Sequence, residues 1–448
     1  MSHIMTVRGP IRPEDLGPTM MHEHIFKTTN ADFWDPSEMT DPEVGRRPID
    51  ASLGGLARWH GTGFLDDVVM LPDADYDLLV EEVGHYKACG GSCLVELSVE
   101  GIEPAPLRVR DLSEEVDLHV VAGLGFYVHA VHPPWVDNAS VEELTDYFLK
   151  QLHGGLLGTD VRPGIVGEIG TSEEIYDCEI RVLQAAGRAG VATGTTVNVH
   201  CHPPALEVTL RIIDTLIGEG LPADRVYLSH LDEIMDLDYH TQVLERGVVT
   251  GFDSFGQDGH FTPTWKSRSD LEKMQMMVAL IDRGFEDQLV VAQDIGRKRY
   301  MRCYGGMGYD HVIERVMPRM KKFMGVSQAA IDKALVGTPR RLLTRDGDAW
   351  PGLFREVANE GDCDESYHDG TGANPTRGPG SDDDARAHIL RCQSILGPVG
   401  TGRSGGRPAA DRRKPSGAGA LGQRGLPGRP GGVAGQGLPA HPRRGGAF

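Results

Sequence analysis

Two histidines, His22 and His24, lie one residue apart in the apolar stretch TMMHEHIF at positions 19–26. In an extended strand the side chains of residues i and i+2 point to the same face, with their Cα atoms about 6.6 Å apart. Two imidazoles on one face can bind a single metal ion. They can also be two ordinary buried histidines, and the pair alone does not decide between these interpretations.

Similar polar residues follow four other apolar stretches, as Glu168 in GEIG, His200 in VNVHCHP, His230 in YLSHLDE and Asp294 in VVAQDIG. Each alone has a structural explanation: a lone histidine is often a packed core residue, Asp294 can cap a turn and Glu168 can pair with an arginine. Burial of all six groups without a metal would be costly in a low dielectric. Four imidazoles and two carboxylates suit two divalent ions, for which Zn²⁺ fits best and Mn²⁺ or Co²⁺ are alternatives.

Eight short apolar stretches predict the strands that position these residues, at 19–25, 93–99, 118–128, 163–170, 195–202, 225–231, 247–255 and 288–295. Helical patterns lie between most of them, and several begin with Ser or Asp and end at Gly, as capped helices do. The pattern predicts an α/β fold, a (β/α)₈ TIM barrel, with an open doubly wound sheet as the alternative. The barrel is favoured because its functional residues lie at the carboxyl ends of the strands, where the polar groups occur here.

The composition divides the chain near residue 345. Residues 1–345 are predicted to form the barrel, with 30–72, rich in Trp, Pro, Asp and Gly, as an insertion after the first strand. Residues 346–448 are polar and then rich in Gly, Pro, Arg and Ala, which predicts a disordered low-complexity tail. The basic end of this tail is also consistent with binding to nucleic acid or to an acidic partner, and a shifted reading frame would give the same composition.

Bulk properties exclude several classes of partner. The net charge of −20 argues against nucleic acid. No run of eighteen apolar residues and no signal-peptide pattern occurs, so neither a membrane span nor secretion is expected. Seven scattered cysteines indicate reduced thiols, and we expect a cytoplasmic protein that acts on a small molecule.

The motifs TVRGPI, MHEHIF, GEIGTS, VNVHCHP, SHLDE, FDSFG and QDI with GGMGYDHV resemble the phosphotriesterase family of the amidohydrolase superfamily. More narrowly, they are similar to its phosphotriesterase-related (parathion hydrolase-like) branch, over about residues 5–344. The resemblance implies a (β/α)₈ barrel with a binuclear metal centre and, as is common in the family, a homodimer. In it His22, His24 and Asp294 would hold the more buried metal, and His200 and His230 the more exposed one.

The bridge between the metals departs from the phosphotriesterases proper, which use a carboxylated lysine on strand four. The segment PGIVGEIG contains no lysine. In the related branch a glutamate takes this place, and Glu168 matches it. The departure supports a binuclear site but weakens the transfer of phosphotriesterase activity.

These parts imply a binuclear metal-dependent hydrolase. The metals would generate hydroxide at neutral pH, which would attack a carboxylic ester, lactone or amide, and Asp294 would act as the catalytic proton acceptor. Asp232 and Glu233 are expected to orient His230. The alternatives are a phosphotriesterase (aryldialkylphosphatase) acting on organophosphate triesters and, in another class, a non-catalytic ligand-binding barrel.

The substrate pocket is expected at the loops beyond the strands. Its predicted residues are Tyr127 and His129, with His132, after strand three, Phe252 and Asp253 after strand seven, and Arg297, Lys298 and Arg299 in GRKR after strand eight. A basic loop at the mouth suits an anionic substrate, although a solvated loop would look the same.

The remaining histidines carry less weight in the sequence. His202 has the spacing of a ligand but is followed by PP, which ends the strand. His240, His260 and His311 are expected in surface helices or loops, and Glu23 is expected to point outward from the barrel.

Overall fold

The computed structural model describes residues 2–28, 34–35, 37, 39, 41–201, 205–260 and 266–347. Within them, one sheet of eight strands is ordered as the chain is: β1 Thr19–Glu23, β2 Cys93–Glu96, β3 His119–Leu124, β4 Ile165–Thr171, β5 Val197–Cys201, β6 Val226–Ser229, β7 Val249–Phe252 and β8 Leu289–Val291. Seven predicted stretches contain one of these strands in full, and β4 extends one residue beyond the remaining stretch, to Thr171.

Neighbouring strands are parallel throughout the sheet. The first and last strands also meet, because the Asp294 backbone N–H donates to the His22 carbonyl at 3.2 Å. Eight parallel strands that close on themselves form a TIM barrel, which confirms the predicted fold and rejects the open sheet.

Side chains alternate between two cores along the strands. Leu94 packs among the surrounding helices, whereas Val95 points into the barrel. The barrel interior is filled by one residue set: Ile4, Leu16, Met21, Cys93, Val95, Leu97, Val121, Ile165, Tyr227, Val249, Val290, Leu342 and Leu343. Three short strands, His3–Thr6, Gly9–Ile11 and Thr344–Arg345, form a separate antiparallel sheet that packs against the barrel. The first two come from the start of the domain and the third from its end. The apolar filling leaves the polar strand ends at the opposite mouth.

The outer layer is made of helices. In the described residues, seven of them connect successive strands: α1 Tyr76–Ala88, α2 Pro106–Val116, α3 Val141–Gly154, α4 Asp177–Thr193, α5 Leu206–Gly218, α6 Leu237–Leu244 and α7 Asp270–Ile281. Three more follow β8 within the described ranges: α8 Met317–Met324, α9 Gln328–Asp332 and α10 Thr338–Leu343. Local sequence fixes several starts. Ser140 and Glu143 form a reciprocal capping box at α3, and Ser269 and Glu272 do so at α7.

The insertion after β1 is tied to the barrel by ion pairs. Its described part contains helices Pro42–Gly45 and Gly54–Trp59 and a strand, Val69–Met70, that pairs with Lys27–Thr28. Lys298 Nζ lies 2.8 Å from Asp66 and 3.0 Å from Asp75, and Arg299 pairs with Asp67 at 2.5 Å. The structure therefore contradicts the expectation that Lys298 faces a substrate, because two carboxylates on its buried ammonium already balance the charge.

Two further expectations fall partly or wholly outside the described residues. These are the tail, of which 348–448 are not described, and His202 as a ligand. Within the described ranges, no helix combines the length and the apolar character that crossing a bilayer requires.

Glu23 joins the two edges at which the barrel closes. Its side chain is fully buried, and its carboxylate accepts the backbone N–H of Gln293 at 2.8 Å and that of Ile295 at 3.0 Å. These two donors flank Asp294. The carboxylate thus satisfies backbone groups that the short β8 leaves unpaired, and it holds Asp294 in position.

We predict that Glu23→Gln lowers the free energy of unfolding by about 1–3 kcal/mol, because the amide replaces one acceptor oxygen and leaves a buried N–H without a partner. Urea denaturation measures the change. Glu81→Gln, on the exposed face of α1, is the matched control and should stay within about 0.5 kcal/mol of the parent. Equal stability of the two variants would contradict the role of Glu23.

Candidate metal centre

Six side chains predicted as ligands converge at the mouth of the barrel. The strands deliver them: His22 and Glu168 lie within β1 and β4, His200 lies in β5, and His24, His230 and Asp294 follow β1, β6 and β8. They form two groups, His22 with His24 and Asp294, and Glu168 with His200 and His230. In each group the ligand atoms lie within 4.8 Å of one another.

The two imidazoles of the inner group are enclosed, whereas its carboxylate, Asp294, is 25% exposed. Asp294 Oδ1 lies 3.2 Å from His24 Nε2 and 3.7 Å from His22 Nε2, and both imidazoles are buried. Two imidazoles and a carboxylate are ligands that suit zinc and similar divalent ions.

The outer group is more open to solvent. His230 Nε2 lies 3.0 Å from His200 Nδ1, and the two side chains are 12% and 18% exposed, against 0% for His22. Burial thus separates the histidines of the two groups but not their carboxylates, because Asp294 is 25% exposed and Glu168 is 1% exposed. Which group surrounds the more buried metal position stays a prediction.

Glu168 lies between the two groups. Its Oε1 is 3.6 Å from His24 Nε2, and its Oε2 is 3.1 Å from His200 Nδ1. Its Oε2 also lies 3.4 Å from His22 Nε2. The carboxylate therefore contacts histidines of both groups and would be able to hold a metal together with either.

The electrostatics fit a cation at each position. Burial lowers the pKa of His24 to about 4, so its imidazole is neutral and can bind a metal. Burial opposes ionisation of Glu168, but the His22 and His200 imidazoles hold the pKa of its carboxyl well below the usual range. His22 Nε2 is buried without a hydrogen-bond partner among the described residues. A metal would satisfy that atom and balance the buried carboxylates, so the residues fit the group.

A second layer orients the imidazoles, and here the sequence prediction was wrong. Asp253 Oδ1 lies 3.0 Å from His230 Nδ1 and also accepts the His230 backbone N–H at 2.9 Å. Asp232 and Glu233, expected in this role, instead accept hydrogen bonds from Ser254. Asp253 was expected to line the pocket but is fully buried beneath the site. Phe252, expected beside it, packs in the helix-facing core.

Serine hydroxyls fix the rings of His22 and His24. Ser229 Oγ lies 2.9 Å from His22 Nδ1, and Ser98 Oγ lies 3.1 Å from His24 Nδ1. In both histidines the Nδ1 atom is occupied, which leaves Nε2 to face the metal positions.

Two ligands adopt a backbone conformation that side chains rarely take. His230 has φ 63° and Asp294 has φ 49°. Such left-handed residues cost of order 1–3 kcal/mol and cluster at functional sites, where the surrounding structure holds them. Asp253 and Glu23 supply the hydrogen bonds that do so here.

Three side chains border the centre on its solvent side. The Tyr127 hydroxyl lies 3.4 Å from His200 Nε2, as expected of a pocket residue. Arg297 is half-buried, with Nη1 enclosed and without a hydrogen-bond partner in the described structure. Lys27, which the sequence reasoning missed, places its Nζ over Gly296, next to His24 and Asp294. Its position in HEHIFK, three residues after a ligand, was the only signal in the sequence.

Other histidines lie elsewhere than expected. His129 turns away from the metal centre, and its Nδ1 lies 3.2 Å from Asp137, so its placement as a substrate contact is not supported. His240, His260 and His311 were expected near the surface but are buried. Their partners explain this; for example, His311 Nε2 lies 2.6 Å from Asp270.

Comparison with known proteins identifies the family of the chain. The phosphotriesterase family matches residues 2–343. The chain belongs to the phosphotriesterase family. It is 31% identical to the N-acetyltaurine hydrolase of Salmo salar over 347 residues, which are 76% of this chain and 97% of the relative. This confirms the resemblance of the motifs, and the chain is a metal-dependent hydrolase of this family.

Solved structures agree with this assignment. A resiniferatoxin-binding protein from Rhodobacter sphaeroides is 30% identical with a TM-score of 0.72, covering 76% of this chain and 94% of its own. A phosphotriesterase homology protein from Escherichia coli, complexed with phosphate in its active site, is 25% identical with a TM-score of 0.59, covering 73% of this chain and 99% of its own.

We predict that Asp253→Asn weakens zinc binding at the outer position about 10- to 100-fold, because the amide no longer fixes and polarises His230. Competition with a chromophoric chelator measures the affinity. Asp232→Asn is the control, since this neighbouring buried carboxylate does not contact the imidazole. A loss of affinity in the control and none in Asp253→Asn would restore the original assignment from sequence.

Proposed function

We propose that the chain hydrolyses the amide bond of a small N-acyl compound that carries a sulfonate or carboxylate, using two zinc ions held by the six ligands. The observation that carries the proposal is a pair of cations, Lys27 and Arg297, beside the predicted metal centre. Carboxylic esters and lactones remain alternatives, because their cleavage needs the same groups.

The two cations have no carboxylate partner in the described part of the chain. Burial lowers the pKa of Lys27, the nearby charge of Asp294 opposes this shift, and Arg297 lowers the pKa further, which places the two like charges near each other. Partly buried like charges are destabilised unless an anion joins them. A substrate sulfonate or carboxylate would supply that anion and accept charge-assisted hydrogen bonds from both.

The relatives support the amide among the three bond types. The family members at 30–31% identity include N-acetyltaurine hydrolases from Salmo salar and Homo sapiens, whose named substrate is an amide that bears a sulfonate. An anionic group at Lys27 and Arg297 would direct the acyl end of such a molecule towards Glu168 and the histidines.

Each catalytic role follows from position. Zinc ions at the two positions would supply hydroxide at neutral pH and polarise the scissile carbonyl. Asp294, 25% exposed and held by Glu23, faces the mouth and is placed to accept a proton and pass it to the leaving amine. The Tyr127 hydroxyl, beside His200, is placed to donate a hydrogen bond to the carbonyl oxygen.

Two alternatives are weaker. A phosphotriester carries no charge for Lys27 and Arg297 to bind, and the residue predicted to bridge the metals is Glu168 in place of a carboxylated lysine. A ligand-binding barrel without chemistry has no need of six convergent ligands. The expectations of a cytoplasmic location and a homodimer stay predictions.

We predict that the enzyme hydrolyses N-acetyltaurine and N-acetyl amino acids with a kcat/KM about 10- to 100-fold above that for an uncharged N-alkyl acetamide of equal length. Arg297→Gln and Lys27→Met should remove this preference mainly through KM, because each loses a charge-assisted contact. Arg283→Gln, an exposed arginine after α7, is the control. Efficient turnover of paraoxon with none of the amides, esters or lactones would overturn the proposal.

We predict that Asp294→Asn lowers kcat about 10²- to 10⁴-fold, because the amide cannot accept the proton. Circular dichroism should show an unchanged fold, since the amide keeps the size of the side chain. Turnover equal to that of the parent enzyme would remove Asp294 from the reaction.

A further inference from the structure

Four potential metal ligands form a second cluster, separate from the six ligands of the barrel mouth. It consists of His129 and His132 in the loop after β3, Asp137 further along that loop, and Cys178 near the start of α4. One ligand atom from each lies within 4.8 Å of the others. The cluster therefore connects the loop to a helix of the outer layer.

The separations approach those of a tetrahedral zinc site. Zn–N bonds of about 2.0–2.1 Å and Zn–S bonds of about 2.3 Å give edges of about 3.3–3.7 Å between ligand atoms. His129 Nδ1 lies 3.3 Å from Cys178 Sγ and 3.2 Å from Asp137 Oδ1. His132 Nδ1 lies 3.9 Å from the same carboxylate oxygen.

His132 provides independent evidence that points to a ligand. Its side chain is 1% exposed, and its Nε2 donates to the Tyr127 carbonyl at 2.8 Å. That hydrogen bond puts the proton of the neutral ring on Nε2 and leaves a lone pair on Nδ1. Nδ1 is buried, faces the cluster and has no hydrogen-bond partner among the described residues. Metal-binding histidines are held in this manner through their other nitrogen.

Hydrogen bonds alone do not satisfy the four groups. His129 Nδ1 carries one proton or one lone pair, so it cannot serve both the thiol and the carboxylate. His132 Nδ1 and the Asp137 oxygen are both acceptors and have no proton between them. One cation would satisfy all four atoms together.

We propose that His129, His132, Asp137 and Cys178 bind a structural zinc ion distinct from the catalytic centre. Binding requires Cys178 as the thiolate, so its proton passes to solvent as the Zn–S bond forms. His129 and Asp137 are 33% and 44% exposed, which leaves an open path for the ion. The set of one thiolate, two imidazoles and one carboxylate suits zinc.

The ion would stabilise the loop that carries Tyr127. The His132 ring holds the Tyr127 carbonyl, and the Tyr127 hydroxyl lies beside His200. A zinc ion that fixes His132 against α4 would therefore limit the movement of Tyr127 at the catalytic mouth.

The first test is the zinc content of the full-length protein after dialysis against a weak chelator. We expect about three zinc ions per chain in the parent and about two in Cys178→Ser and in His132→Asn. Cys303→Ser, at an exposed thiol, is the matched control and should keep three. Equal zinc content in the parent and in Cys178→Ser would overturn the proposal.

Cobalt substitution gives a readout that does not depend on activity. The cobalt-loaded parent and Cys303→Ser should absorb in the near ultraviolet through thiolate-to-cobalt charge transfer, and Cys178→Ser should not. The six ligands at the barrel mouth include no sulfur, so this band does not depend on the catalytic centre or on the substrate. A band that persists in Cys178→Ser, or is absent from the cobalt-loaded parent, would contradict the second site.

Discussion

The buried carboxylate of Glu168 is the group on which the site depends. It lies at the centre of four imidazoles, with its Oε1 near His24 and its Oε2 near both His200 and His22. Removal of such a charge from water is expensive unless opposite charge surrounds it. Asp253 and Asp294 add two more negative charges nearby. Divalent cations at the site would balance these three carboxylates.

The barrel brings these carboxylates and the four imidazoles together. Eight parallel strands end at one rim, so residues far apart in the chain meet within hydrogen-bond distance. Glu23 closes the rim between the first and last strands and sets the backbone of Asp294. The insertion then covers one side, held by the ion pairs of Lys298 and Arg299, and positions Lys27 on a short strand of its own. Chemistry thus resides on strand ends and selectivity on loops, as in other barrels of this kind.

The sequence was sufficient for the strands and for the convergence of six polar side chains at one mouth, because both follow from local pattern. An apolar run of strand length is followed by a polar residue, and the barrel determines where that residue lies. It was insufficient where partners come from distant segments. Lys298 and Arg297 are neighbours in GRKR, yet Asp66 and Asp75 bind Lys298, whereas no carboxylate among the described residues pairs with Arg297. His129 and Asp253 are polar residues at strand ends like the ligands, and only the direction of their side chains separates them from the pocket.

The central claim is that Glu168 joins two metal positions at one barrel mouth. Anomalous diffraction from crystals grown with zinc tests it most directly. The account predicts two peaks at the mouth, one against His22, His24 and Asp294 and the other against His200 and His230, each within bonding distance of a Glu168 oxygen. A single peak there, or two peaks with Glu168 bound to neither, would contradict it.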